Sequence, residues 1–185
     1  MKVIAVTNRK LCDGNDDFFN RIETLANLNF YAIMLREKDL NLKSFNFYSR
    51  KCSEICKKHN VKLIINTFTD AAIENGIPYL HLSFNHFINL PDNKKKCFTR
   101  IGVSVHSVEE AVEACQNGAD YLIAGHIFST SCKPDIPPKG TEFLKNVCQS
   151  VSIPVFGIGG ITPQNAPDVI SSGADGVCIM SPSMT

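Results

Sequence analysis

Short apolar runs alternate with longer amphipathic stretches from one end of the chain to the other. The runs are Val3–Val6, Tyr31–Leu35, Lys62–Ile65, Tyr79–Leu82, Ile101–Val105, Tyr121–Ala124, Val155–Ile158 and Gly176–Met180. Each has the length of a strand, and continuous rather than alternating apolar character marks strands buried on both faces. Helices are predicted between them over Asp17–Ala26, Leu42–Lys58, Asp70–Glu74, Val108–Gln116, Thr141–Ser150 and Pro163–Ser171. Ser107 followed by Glu110 forms a capping box, and Thr162 with Pro163 reads as an N-cap with proline in the first turn. Gly118 and Gly173 stand where helices stop, and both precede Ala-Asp and the next strand.

Strict alternation of strand and helix predicts α/β architecture with a parallel sheet, and eight strands in one domain over residues 1–185 predict a (β/α)8 TIM barrel. The barrel is short. After Met180 only five residues remain, too few for an eighth helix, so the last helix is expected to be missing. That omission would leave apolar surface on strands eight and one, which predicts a homo-oligomer. An open doubly wound sheet is the alternative architecture. The fourth unit is thin, and Lys94-Lys95-Lys96 within it reads as a solvated loop.

Composition narrows the partners. The hydrophobic fraction is 44%, the charged fraction 20% and the net charge +1, which excludes an electrostatic case for nucleic acid or an anionic membrane. A small-molecule ligand is the remaining class. No apolar run reaches membrane-spanning length and the opening run is too short for a secretory signal, so a cytoplasmic enzyme with free thiols is expected. Cys52 and Cys56 lie four apart on a predicted helix, but no second pair completes a metal set, and packing is the expected role. No metal and no cofactor are predicted.

In a TIM barrel the chemistry sits where strands end at their C-termini. Gly157-Ile158-Gly159-Gly160 follows strand seven, where glycines let a backbone approach an anion closely, so Gly157, Gly159 and Gly160 are phosphate-binding candidates. Arg36 and Lys38 after strand two and Lys133 after strand six make the mouth positive, although Arg36 and Glu37 can equally belong to a surface ion-pair network. The loop from Gly125 to Lys139 is long for its place, and long loops at this face carry function. His126 opens it, with an imidazole that titrates near neutrality. His81 is the secondary candidate. His106 reads as a buttress, and His59 as an exposed residue at a helix end.

Arg36-Glu37-Lys38, Ser104-Val105-His106-Ser107, the strand-six loop, Gly157-Ile158-Gly159-Gly160 and Gly173-Ala174-Asp175-Gly176 together resemble the thiamine phosphate synthase superfamily over almost the whole chain. Synthases carry Gly-Pro, an aromatic residue and Pro-Thr-x-Thr-Lys after strand six. Here Gly125-His126 and Ser129-Thr130-Ser131-Cys132-Lys133 look like the TenI branch of thiazole tautomerases. That resemblance implies aromatisation of a carboxylated thiazole phosphate, with His126 as general acid/base. It also implies substrate binding by Arg36, Lys38, Ser104, Thr130, Cys132 and Lys133, and phosphate binding by the glycines with Ser181. Synthases also place Asn-Asp after strand three and His-Leu-Gly-Gln-x-Asp after strand four as acidic metal positions. This chain has Asn66-Thr67 and His81-Leu82-Ser83-Phe84-Asn85-His86. The synthase itself, joining a pyrimidine diphosphate to the thiazole phosphate, and a non-catalytic thiazole-phosphate binder are the competing readings.

Overall fold

A computed structural model describes residues 1–28, 30–130 and 134–184. Its eight strands are β1 (Lys2–Val6), β2 (Ala32–Leu35), β3 (Lys62–Asn66), β4 (Tyr79–Ser83), β5 (Arg100–Val105), β6 (Tyr121–Gly125), β7 (Val155–Ile158) and β8 (Gly176–Ile179). They are hydrogen-bonded in sequence order as a closed parallel barrel. The TIM-barrel expectation therefore holds, and the open doubly wound sheet does not. Helices intervene: α1 (Gly14–Asn27), α2 (Leu42–Lys58), α3 (Thr69–Glu74), α4 (Phe84–Ile88), α5 (Asp92–Lys95), α6 (Val108–Gln116), α7 (Gly140–Ser150) and α8 (Ala166–Ser171). A one-turn helix, α9 (Ser181–Met184), follows β8. None of the helices is long and apolar enough to cross a membrane.

The chain packs as two compact units. In the one built on Val3–His81 and Pro91–Thr99, Ile4, Ala5 and Val6 of β1 run beside Ala32, Ile33 and Met34 of β2. Met34 and Leu35 in turn face Ile64 and Ile65 of β3. Aromatic side chains join the helices outside this sheet, with Phe18 and Tyr48 edge to face at 5.3 Å. Phe45 stacks on Phe68 at 4.0 Å between centroids. Cys52 and Cys56 are buried along α2 as free thiols, and burial holds the Cys56 thiol up at about 12. The lysine run is not a loop: α5 carries Lys94 and Lys95, and Lys94 pairs with Asp70 of α3 at 2.7 Å. His59 is likewise not a free surface group, since its Nε2 lies 2.6 Å from Glu23.

In the unit built on Arg100–Ile179, the two Gly-Ala-Asp junctions perform the same act twice. Gly118 and Gly173 end α6 and α8 at φ 86° and 98°, the left-handed region that glycine enters without a Cβ clash. Asp120 then accepts the N–H of Ile101 at the start of β5 at 2.7 Å, and Asp175 accepts that of Val155 at the start of β7 at 3.2 Å. Each aspartate thereby fixes the entry end of the preceding strand, at its second residue in β5 and its first in β7. The expected helix start at Thr162-Pro163 is displaced. Asn165 accepts the N–H of Thr162 at 2.8 Å and donates to the Gly160 carbonyl at 2.9 Å, so the chain turns once more before α8 begins at Ala166.

Strands one and eight were expected to be open to water. Instead Ile4, Ala5, Val6, Val177 and Cys178 are at most 2% exposed, and Met184 of α9 is 1% exposed.

Candidate active site

Among the described residues, the candidate positions lie at or just after the C-terminal ends of strands, where a barrel carries its chemistry. In the first unit, the residues after β1 and β2 are tied together by one carboxylate. Glu37 is 3% exposed, so it is not part of a surface network. Its Oε1 accepts the Thr7 hydroxyl at 2.6 Å, and both its oxygens accept the backbone N–H of Arg9 at 3.1 Å. The Thr7 oxygen in turn accepts the backbone N–H of Arg36 at 3.0 Å. Burial raises the Glu37 carboxyl, while the bonds from Thr7 and Arg9 oppose that shift. The surface pairs lie one step out, where Asp39 meets Arg9 at 2.6 Å and Lys10 at 3.3 Å. Arg36 is half-buried and Lys38 exposed, on either side of the clamped carboxylate. Sequence reasoning missed Glu37 and Thr7; the available signal was an acid held between two bases at a strand end.

Farther along the same unit, Asn66 ends β3 opposite His81 on β4. His81 is 1% exposed. Burial first, then the charges of Lys38 and Arg36, push its pKa down from 6.5 to about 3. A neutral core imidazole is what results, which removes His81 from contention as a proton shuttle at neutral pH. The unfolded chain binds this proton near 6.5 and the native chain only near 3. Stability from this group is therefore whole above 6.5 and is lost as pH falls toward 3, at a limiting slope of about 1.4 kcal/mol per pH unit. Urea unfolding measured across that window should show the slope. His81→Gln should flatten it, and an unchanged slope in the variant would place the acid lability elsewhere.

In the second unit, the loop after β6 is held by backbone and by imidazole. Ile127 N–H donates to the Ile158 carbonyl at 2.9 Å and Phe128 N–H to that of Gly159 at 3.0 Å. The glycines after β7 are required by this contact. Gly159 and Gly160 have φ of 100° and 64°, and a β-carbon on Gly159 would lie 2.8 Å from the His126 Cα. His126 is 5% exposed, and its Nε2 donates to the Ile136 carbonyl at 3.1 Å. The Lys139 N–H closes the loop onto the His126 carbonyl at 2.9 Å. His106 is the buttress expected of it, with Nδ1 donating to the Gly125 carbonyl at 2.8 Å. Ser104 and Thr130 are half-buried at the ends of β5 and in the β6 loop, and Ser181 is half-exposed in α9 of the first unit. Cys132 and Lys133 lie outside the described residues.

The model of the family described as thiamine monophosphate synthase matches residues 3–182. The chain belongs to that family. A thiamine-phosphate synthase of Clostridium acetobutylicum is 37% identical over 184 residues, covering 97% of this chain and 85% of its own. Another, from Fusobacterium nucleatum, is 35% identical over 97% of this chain and 87% of its own. A solved thiamine phosphate pyrophosphorylase from Pyrococcus furiosus superposes with a TM-score of 0.85, at 28% identity, over 99% of this chain and 87% of that one.

These relatives overturn the tautomerase reading. It rested on the strand-six loop, whereas the similarity to thiamine-phosphate synthases runs through 97% of the chain. The isomerase activity falls with it, and none of these relatives points specifically to the TenI branch.

Within the thiamine monophosphate synthase family, the acidic metal positions are the departure. Thr67 donates its hydroxyl to the Asn66 Oδ1 at 2.9 Å, and Asp70 is taken by Lys94. His86, in the other unit, has its Nδ1 2.7 Å from the Ser83 hydroxyl. Among the described residues there is no group of three His, Cys, Asp or Glu that could hold a metal ion. Mg²⁺ favours carboxylate oxygens together with substrate phosphates, and these residues do not fit it.

Proposed function

We propose that this chain is a thiamine-phosphate synthase, a transferase that joins a pyrimidine diphosphate to a thiazole phosphate and releases diphosphate. One observation carries the reading: 37% identity to a protein of that name, extending over 97% of the chain. Arg36 and Lys38 supply the positive charge for the diphosphate, and the Glu37 clamp fixes the backbone that carries them. Gly157, Gly159, Gly160 and Ser181 bind the thiazole phosphate, with Ser104, Thr130, Cys132 and Lys133 as the remaining substrate-binding positions. His126 acts as a positioning residue that holds the two ends of the strand-six loop. Joining two bound substrates gains chiefly from orientation and from charge placed where the leaving group forms. No step here needs an organic cofactor.

The purified protein, given the pyrimidine diphosphate and the thiazole phosphate, is expected to form thiamine phosphate and pyrophosphate in equal amounts. Thiazole phosphate binding without any product above the uncatalysed background would overturn the reading in favour of a non-catalytic binder.

A further inference from the structure

The chain keeps the strand-end framework of its family while both acidic metal positions carry other residues, Thr67 and His86. Thr67 is the more informative of the two. Its φ is 72°, in the left-handed region. Asn and Asp tolerate that region through their short polar side chains, whereas a β-branched residue is an outlier there. The backbone at this point suits an aspartate, yet the residue is a threonine that carries strain and has no charge.

The loss of that charge is coherent with its surroundings. A carboxylate beside a diphosphate is repulsive unless a cation stands between them, so a site that gives up the cation must also give up the acid. The other carboxylates of this unit's strand ends already face donors: Glu37 holds Thr7 and Arg9, Asp39 holds Arg9 and Lys10, and Asp70 holds Lys94. Leu35 of β2 pairs with Ile65 of β3, and Asn66 of β3 with His81 of β4, so Arg36 and Lys38 follow the strand that lies directly beside the one ending at Asn66-Thr67.

We infer that Arg36 and Lys38, beside the β3 strand end where Thr67 replaces an acid, take diphosphate on protein charge alone, with no divalent cation. The inference rests on the synthase reading, which made diphosphate the leaving group. It separates this chain from those family members that carry the Asn-Asp and Gly-Gln-x-Asp patterns.

The test is calorimetric titration of the full chain with inorganic pyrophosphate, once in EDTA and once in millimolar Mg²⁺, together with Mn²⁺ binding followed by electron paramagnetic resonance. Pyrophosphate should bind in EDTA with an affinity that Mg²⁺ changes by less than roughly twofold, and Mn²⁺ should stay free. R36M should weaken pyrophosphate by roughly tenfold or more. T67D, which restores the strand-three carboxylate of the synthase pattern, should bind pyrophosphate more poorly in EDTA than the parent and recover when Mg²⁺ is added. Thr67→Asn is the neutral control. It should keep pyrophosphate binding in EDTA and melt higher than the parent, because asparagine suits the backbone at this position. Should T67D not fold, the parent and Thr67→Asn decide the matter.

Pyrophosphate binding only with Mg²⁺, no binding in either buffer, or Mn²⁺ held by the parent chain would each overturn the inference. Turnover separates it from the reading beneath it. Thiamine phosphate formed only with Mg²⁺ would sink the metal-free site and leave the synthase standing. Pyrophosphate bound in EDTA with no turnover in either buffer would sink the synthase and leave the anion site.

Discussion

Gly159→Ala is expected to lower the thermal midpoint by roughly 6–12 °C and to loosen the strand-six loop. The backbone at φ 100° disfavours any Cβ, which costs about 1–2 kcal/mol, and the new methyl would also press on His126. Overpacking of that kind adds about 1–3 kcal/mol, and in a chain of this size each kcal/mol moves the midpoint by about 2–4 °C. The neighbour cannot yield cheaply, because the atoms in the way include the His126 backbone, whose carbonyl holds Lys139. Calorimetry measures the first effect, and amide exchange at Ile127 and Phe128 the second. A midpoint within a degree of the parent would mean that the β7 glycines are not held against the β6 loop.

Glu37→Ala is expected to cut kcat/KM by roughly a hundredfold, with KM for the pyrimidine diphosphate moving more than kcat, and to destabilise the chain by about 2–4 kcal/mol. The stability loss comes from two donors left without an acceptor, the Thr7 hydroxyl and the Arg9 N–H. The catalytic loss has a different origin. Thr7 receives the backbone N–H of Arg36, so removal of Glu37 frees the hydroxyl that fixes the cation's own peptide. Thr7→Val should therefore repeat the kinetic effect, and the double variant should fall short of the sum, as coupled neighbours do. Glu37→Gln keeps one acceptor and should fold well enough for the kinetics to be compared. A chain that loses stability while the KM for the diphosphate substrate stays put would show that the clamp serves the barrel and nothing else.

The strands were legible because a parallel barrel buries both faces of each, which turns β2 and β6 into unbroken apolar runs. Gly118 and Gly173 were legible because only a few residues tolerate their backbone angles. The helices α4 and α5 escaped notice because each spans barely a turn and has no room for a period. The start of α8 was misplaced because Thr162-Pro163 satisfies a local rule that the Asn165 side chain overrides. Glu37 looked like surface since both its chain neighbours are basic, and only the fold reveals that its side chain turns inward to Thr7. The functional error had another cause. A histidine and a cysteine in one loop were weighed above a pattern carried by the whole chain, and burial of His126 against a carbonyl is invisible in a linear string.

The aspartates at 120 and 175 grip the entry ends of strands, while Arg36, Thr67, His126 and Gly159 all stand at exit ends. On β7 anchorage and candidate chemistry thus occupy opposite poles of one strand, with Asp175 on Val155 at its entry and Gly159 at its exit. Variation at the exit ends can then be sampled without loosening the two carboxylate anchors, which gives directed evolution a natural boundary. Libraries that randomise Arg36, Lys38, Ser129 and Thr130, with the buried Glu37 and His126 left in place, should retain folded members at a far higher rate than libraries of equal size placed on residues 118–120 and 173–175.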